Sequence, residues 1–497
     1  MSTPTQPRVS NTVDLVRALI QDTRSELRPE ARSSADVDAQ LAACQQRLDQ
    51  PLQVALAGTL KSGKSTLLNA LVGEEIAPTD ATECTRVVTW FTRSAVPRVE
   101  LTHDSGHHTS LAVHRTDGRL QLDLGSVTAD RVERLEVGWP SSLLGQYTLV
   151  DTPGTSSNSY DVSARTLAFL TPDEGTCAAD AIVYLMRSLH SADVALMRRL
   201  HDYAGTGRGA LGIIGVLSRA DENGSGHTTS LQDARQLSAR LRTASELNGL
   251  HLDFLAVSGL LAVRGQTLRH HEFTTLHHLA TLPDDQLEAT LVSPRRLVTT
   301  DLPIPAADRE HLSATFGMVG IRIALSLIRA GARDAPTLAA QLVDHSGLSE
   351  LRHTLNTRFG SRHQQLKAHS ALRALREILL RHRDSHTARL LRSVDQLLAD
   401  NHCFTELRML ARVAALPVPE PTRVALNHIL GGRGTSPTTR LGLPTDTTNV
   451  HIRTTALHAL QYWHNQLTDP LLEQPTLESF RAAIRSCEAI IASTPQC

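Results

Sequence analysis

At 497 residues, the chain is too long for one hydrophobic core, and two or three domains are expected. Its 50 Lys+Arg and 51 Asp+Glu leave a formal net charge of −1, and only 3% of residues are aromatic, so neither global charge nor base-stacking platforms argue for nucleic acid. The cysteines (Cys44, Cys84, Cys177, Cys403, Cys487, Cys497) are scattered without a C-x-x-C pair, which fits reduced cytosolic thiols better than a disulfide framework.

The polar first eleven residues read as disordered and not as a signal peptide. No run of about 18 apolar residues occurs, so no transmembrane helix is expected and any membrane contact would be peripheral. Val13, Val16, Leu19, Ile20 and Leu27 sit at helical spacing, and Val37, Leu41, Cys44 and Leu48 repeat the pattern. Residues 1–50 therefore read as two amphipathic helices whose apolar stripes should pack on the helical C-terminal part.

From Pro51 the pattern becomes α/β. Leu52–Ala57 is a short apolar run, a buried strand by its length and flanks. Gly58-Thr59-Leu60-Lys61-Ser62-Gly63-Lys64-Ser65 follows and matches the phosphate-loop pattern G-x-x-x-x-G-K-[ST]. A helix over Thr66–Val72, ended by Gly73, completes the strand–loop–helix arrangement that the motif requires. Backbone N–H groups in such a loop wrap a phosphate, and the helix N-terminus adds partial positive charge. The chain holds only three lysines, Lys61, Lys64 and Lys367, and two of them lie in this loop. A flexible ammonium reaching β- and γ-phosphates suits that task better than arginine's wide fork.

Further strands are read at Val87–Phe91, Val99–Leu101, Tyr147–Val150, Ala181–Met186, Ala210–Leu217 and Phe254–Val257. Helices are read between them at Ala192–Tyr203 and Leu231–Leu247. This is a doubly wound sheet with ligands expected at the strands' carboxyl ends. After about Leu260 helical periodicity dominates, with Phe316 to Gly320 leading a helix from Ile321 and Gly347 opening another. The nucleotide domain is placed at 51–360. Residues 361–497 read as a helical bundle interrupted at Leu416–Pro421 and Gly431–Pro444, without an internal repeat.

The remaining elements of a guanine-nucleotide site come in order. Asp151-Thr152-Pro153-Gly154 follows a strand, as a D-x-x-G element should. Asp151 would hold Mg²⁺ through water, Ser65 would ligate it directly, and the Gly154 N–H would meet the γ-phosphate. Thr82, Thr85 and Thr89 are switch candidates; Thr85 is favoured to bind Mg²⁺ and the attacking water. In Ser218-Arg219-Ala220-Asp221, Asp221 can accept from guanine N1 and N2, and Arg219 can cover the base. Ser258 and Gly259, after the last strand, suit a backbone contact to guanine O6. Gly58, Leu60, Lys61, Ser62, Gly63, Lys64, Ser65 and Thr66 make up the rest of the cradle. The expected ligands are GTP or GDP with Mg²⁺.

These residues carry a family likeness. GTLKSGKSTLLNALVG, PTDATECTRVVTWF, DTPGTSS and the SRAD and VSGLLA pair resemble the dynamin-superfamily GTPases of bacteria, more narrowly the isoniazid-inducible dynamin-like proteins of mycobacteria. The likeness extends over FGMVGIR, SGLSELR, LKAHSALRALR and FTELRML. It implies a GTPase head on a helical neck and trunk, self-association through the heads, pairing with a paralogous chain and membrane remodelling. It also implies a cytoplasmic protein, peripheral at the inner face of the plasma membrane. A GTP-gated scaffold that works with a paralogue and deforms no lipid is the alternative. Two positions depart from common patterns. Thr155 stands where small GTPases carry a catalytic Gln, so Thr85 is expected to help position water. Lys61 stands where related large GTPases carry an arginine finger, and is expected to neutralise charge on the β–γ bridge.

Between Arg352 and Arg392, nine Arg and Lys367 face only Glu377 and Asp384, a net +8. This stretch, with the stripe Leu366, Leu372, Leu375 and Leu379, could lie on anionic lipid, face acidic residues of the chain, or bind phosphates. The loops Leu416–Pro419 and Leu441–Pro444 are alternative lipid contacts. The pairs His107-His108, His270-His271 and His277-His278 lack a Cys or carboxylate at recognisable ligand spacing and read as surface imidazoles.

Overall fold

The computed structural model describes residues 12–27, 34–78, 87–116, 118–122, 124, 127–154, 160–173, 176–205, 209–226, 229–382, 384 and 386–494. Its centre is strand β1 (Leu52–Gly58), all seven positions of which are buried. A continuous apolar run with no polar alternation is what a strand covered on both faces requires. Ten more strands follow: β2 (Thr89–Arg93), β3 (Arg98–His103), β4 (His108–Leu111), β5 (His114–Thr116), β6 (Arg119–Gln121), β7 (Val132–Trp139), β8 (Tyr147–Asp151), β9 (Ala181–Met186), β10 (Gly212–Ser218) and β11 (Asp253–Val257). Nine form one sheet in the order β11-β10-β9-β1-β8-β2-β7-β3-β4, and β5 pairs with β6 separately.

The sheet is mixed. From β11 to β8 every pairing is parallel. Beyond β8 the pairs β2–β8, β3–β7 and β3–β4 are antiparallel, and β2–β7 is parallel. The short link between β3 and β4 leaves no room for a crossover helix, so those two strands must turn back on each other. Because β1, β8, β10 and β11 run the same way, their carboxyl ends bring the phosphate loop, the Asp151 turn, the Ser218 turn and Ser258 to one edge.

Among the helices, Ala306–Arg329 starts well before the expected Ile321. Gly317 breaks it with non-helical backbone (φ 64, ψ 168), which explains why the sequence suggested a helix beginning only after the glycines. It is the one described helix long and apolar enough by composition to cross a membrane, with mean hydropathy 1.5. Leu312, Phe316, Ile321, Ile323 and Leu325 are buried in the core, so packing accounts for those apolar residues.

The basic stretch is interior in its first part, while Arg381, Arg389 and Arg392 at its far end are exposed. Helix His363–Arg381 buries eleven residues, among them Leu366, Lys367, His369, Leu372, Arg373 and Leu379. Helices Thr12–Leu27 and Ser34–Asp49 pack on it and on Thr387–Asp400, joining Val16, Ile20 and Leu41 to Leu372, Leu375 and Val394. Several of its cations meet partners within the chain. Lys367 Nζ donates to Gln50 O at 3.0 Å, Arg376 Nε reaches Asp395 at 2.6 Å and Arg358 Nη2 reaches Asp253 at 3.0 Å. The apolar stripe is therefore occupied by the N-terminal helices and is not available to lipid. Leu416 and Val418 are also buried, so that loop has no apolar tip to insert. Leu441 and Leu443 are half-buried against the same core.

Candidate functional site

The phosphate loop leaves β1 and enters helix Lys64–Val72 through Gly63, whose φ of 88° is a left-handed conformation that costs glycine little. No side chain caps this helix, so its first N–H groups face the loop's interior, where an anion would satisfy them. Lys64 lies inside the loop, only 8% exposed. Its Nζ donates to the carbonyls of Gly58 and Thr59, each at 3.1 Å. Burial pulls its pKa below the usual lysine value, and the Asp151 carboxylate opposes that pull. Ser62 Oγ is buried without a hydrogen-bond partner. Lys61 and Leu60 stand exposed on the rim, Lys61 with φ 60°, while Thr66 is half-buried at the helix start.

Asp151 ends β8 directly across from this helix. Ser65 Oγ donates to its Oδ2 at 2.7 Å, and its Oδ1 is buried without a partner. Burial raises the Asp151 pKa, and Lys64 and the Ser65 hydrogen bond work against the rise. A hydroxyl beside an unmet carboxylate oxygen is a fitting oxygen donor set for Mg²⁺. Thr152 Oγ1 donates to Leu56 O at 2.8 Å and Thr166 Oγ1 to Pro153 O at 2.6 Å, and these two bonds hold the turn in place. Gly154 then passes so near the loop that a Cβ there would lie 2.7 Å from Leu60 Cα. No larger residue fits without moving the loop.

The base side is built from the ends of β10 and β11. A cavity of ≈ 290 Å³ runs from Ser62, Gly63 and Thr66 past Ser218, Arg219 and Asp221 to Gly259. That is close to the lower end of small-molecule pockets. Ser218 Oγ donates to Met186 O at 3.0 Å and locks the turn. Asp221 is 9% exposed, and burial raises its pKa while a hydrogen bond from Ser258 lowers it. Ser258 caps helix Gly259–Thr267 by accepting from Leu261 N at 3.2 Å. Arg219 adopts φ 51° and pairs with Glu222 at 2.7 Å across the cavity's rim.

Thus Gly58, Ser62, Gly63, Lys64, Ser65, Thr66, Asp151 and Gly154 meet at one end, and Ser218, Arg219, Asp221, Ser258 and Gly259 at the other. Thr85, the switch candidate and third metal ligand, lies outside the described residues, as do Thr82 and Thr155. Sequence reasoning missed the outer wall. Glu75 accepts from Arg264 at 2.7 Å and from Arg119 at 2.9 Å, and Ala314 and Thr315 of the kinked helix close the cavity. Asn69 was also missed. Its Oδ1 accepts from Ile76 N and Ala77 N at 2.9 and 2.7 Å, fixing the chain that leaves the helix. An Asn inside an apolar helix followed by glycine was the available signal.

Comparison with known proteins adds the following. A model described as the dynamin family matches residues 54–219. The isoniazid-induced protein IniC of Mycobacterium tuberculosis is 42% identical over 488 residues, spanning 97% of this chain and 99% of its own. The isoniazid-induced protein IniA of the same organism is 33% identical over 174 residues, 34% of this chain and 27% of its own. A solved structure of an oligomerised bacterial dynamin pair aligns with 99% of this chain and 76% of its own, at 13% identity and a TM-score of 0.33.

Proposed function

Since the chain belongs to the dynamin family, in the branch that holds IniC, we propose that it binds and hydrolyses GTP with Mg²⁺. Hydrolysis would drive nucleotide-dependent association of its heads and remodelling of an anionic membrane at the inner face of the plasma membrane. The observation that carries the nucleotide reading is the Lys64–Ser65–Asp151 cluster: a buried ammonium on two loop carbonyls beside a carboxylate with one unmet oxygen.

Each residue then has a chemical task. Lys64 exchanges the two loop carbonyls for β- and γ-phosphate oxygens, a stronger charge-assisted pairing. The amides of the Lys64–Val72 helix N-terminus take the remaining phosphate oxygens. Ser65 and Asp151 would hold Mg²⁺, with Thr85 as the third candidate ligand, and a bound ion would supply positive charge against the phosphate oxygens. The Gly154 N–H meets the γ-phosphate, so presence or absence of that group is felt at the Leu60 contact. Asp221 accepts from the guanine N1 and N2 donors, and adenine, which lacks that donor pair, leaves the carboxylate unpaired at a cost. Lys61, exposed on the rim, neutralises charge on the β–γ bridge in cis; turnover unchanged in Lys61→Ala at unaltered GTP affinity would exclude that role.

A second reading has its own support. Of the three stretches read from the sequence as lipid contacts, the apolar stripe of the basic helix and Leu416 and Val418 of the Leu416–Pro419 loop are buried, and Leu441 and Leu443 are half-buried. That favours a GTP-gated scaffold working with a paralogous, IniA-like chain without deforming lipid itself. GTP turnover against protein concentration, with and without anionic liposomes, separates the two. Stimulation by liposomes and their co-sedimentation with the protein support the first, and turnover that rises only with protein or paralogue supports the second.

A further inference from the structure

Outside the nucleotide pocket, two exposed imidazoles and one buried carboxylate converge. His271 and Glu272 lie in the first turn of helix His270–Ala280, and His311 lies in helix Ala306–Arg329. One donor atom from each lies within 4.8 Å of the other two. His311 Nε2 stands 2.9 Å from Glu272 Oε1, and the His271 and His311 rings are 5.9 Å apart at 37°. Glu272 is only 5% exposed, and its other oxygen accepts from Arg269 N at 2.8 Å. That backbone bond holds the carboxylate in orientation, as outer hydrogen bonds do for ligating groups.

We propose that His271, Glu272 and His311 bind a divalent cation of the zinc class. Two imidazole nitrogens and one carboxylate oxygen suit a borderline cation such as Zn²⁺, whereas Mg²⁺ takes oxygen donors. With bonds of about 2.0–2.1 Å, tetrahedral geometry sets donors about 3.3 Å apart. The His311–Glu272 pair is already near that spacing, so only His271, an exposed side chain, has to close in. Three ligands leave a fourth position for water. The neighbouring cations are engaged elsewhere. Arg119 and Arg264 pair with Glu75, and Arg115 pairs with Glu74. Arg309, two residues before His311, donates to Leu297 O and Thr300 O.

The site faces a cavity of ≈ 980 Å³ whose wall shares Asn69, Glu75, Arg264 and Thr315 with the nucleotide pocket. Thr315 lies one helical turn after His311, so a bound ion ties the wall of that pocket to helix His270–Ala280. The inference stands apart from the nucleotide reading, because it needs no GTP.

Zn²⁺ titration of the full chain against a chromophoric chelator, without nucleotide, tests it. The double variant His271→Ala/His311→Ala loses one equivalent relative to the parent protein, and each single variant weakens that equivalent by roughly 10- to 100-fold. Glu272→Gln, which keeps an acceptor for Arg269 N, weakens it as well. His278→Ala, an exposed imidazole on the same helix, leaves it intact. Both imidazoles in the double variant are exposed, so far-ultraviolet circular dichroism should match the parent. Equal stoichiometry and affinity in parent and double variant, or an equal loss in His278→Ala, means adventitious surface binding only and overturns the proposal.

Discussion

Two regions bury charge in this molecule, and they treat it in opposite ways. Just before helix His363–Arg381, Arg362 and its partner Glu406 are each 1% exposed. Arg362 donates to the carbonyls of Gly431 and Leu430 at 2.9 and 2.6 Å. Glu406 accepts from Arg440, from Ser486 at 2.7 Å and from His402 at 3.2 Å. Within that cluster only His402 Nδ1 is buried without a partner. In the phosphate loop, Lys64 rests on two carbonyls while Asp151 Oδ1 and Ser62 Oγ are unmet. The pKa directions follow suit. The Glu406 carboxyl is held down to about 2 against its burial, whereas burial wins at Asp151 and pushes it up. A closed cluster is satisfied within the fold; an open one leaves polar atoms that a ligand of complementary charge would satisfy. Burial by itself does not distinguish them, and unmet hydrogen-bonding capacity does.

The contrast can be broken by mutation, starting with the largest expected effect. Lys64→Ala should lower GTP turnover by roughly 10³–10⁵-fold, the range for loss of a positive charge at the transferring phosphoryl group. Its thermal midpoint should change little, since Asp151, whose pKa burial already raises, can take up a proton once the ammonium is gone. Glu406→Ala should do the reverse. It leaves Arg362 and Arg440 uncompensated and should cost about 3–5 kcal/mol in denaturant unfolding, with GTP affinity little changed. A Glu406→Ala protein of parental stability would dissolve the distinction.

Acid stability sharpens it further. His251 is 5% exposed, and burial holds its pKa down at about 4 from 6.5, with Arg242 and Arg358 adding and Asp253 opposing. As pH falls, the unfolded chain takes up that proton first. The contribution is therefore complete above pH 6.5 and drains as pH falls toward about 4, amounting to about 3 kcal/mol. Stability measured between pH 7 and 4 should fall less steeply in His251→Gln than in the parent protein. The smallest effect concerns the base. Asp221→Ala should weaken GTP binding by roughly 10- to 100-fold, the scale of lost hydrogen bonds to a charged group, and should erase preference over ATP. Competition binding with both nucleotides reads it.

The phosphate loop, the Asp151 turn, the Ser218–Asp221 turn and Ser258 were legible because each is a local device: a few consecutive residues whose backbone must meet a ligand after a strand. The buried strands β1, β9, β10 and β11 were legible for a related reason, since apolar runs bounded by turns are local too. The antiparallel half was less so. Strand β4 alternates between exposed and half-buried, and β7 carries Glu133, Arg134 and Glu136 among its apolar residues, which weakens any period. Remote partners hid the rest. Lys367 meets Gln50, and Arg352 meets Ala70 and Leu71, so the first part of a stretch that reads as a basic surface is engaged within the chain. His311 meets Glu272 across 39 positions, which no ligand spacing encodes. The start of helix Ala306–Arg329 was obscured by Gly317, whose left-handed backbone interrupts the apolar repeat.

Isothermal titration of the purified chain with GTP in the presence of Mg²⁺ bears most directly on the account. One GTP per chain in the parent protein, with uptake weakened by at least about tenfold in Lys64→Ala, is the predicted result, because the ammonium is the only buried positive side chain touching the loop's carbonyls among the described residues. Heat of binding absent from the parent, or identical in Lys64→Ala, would contradict it.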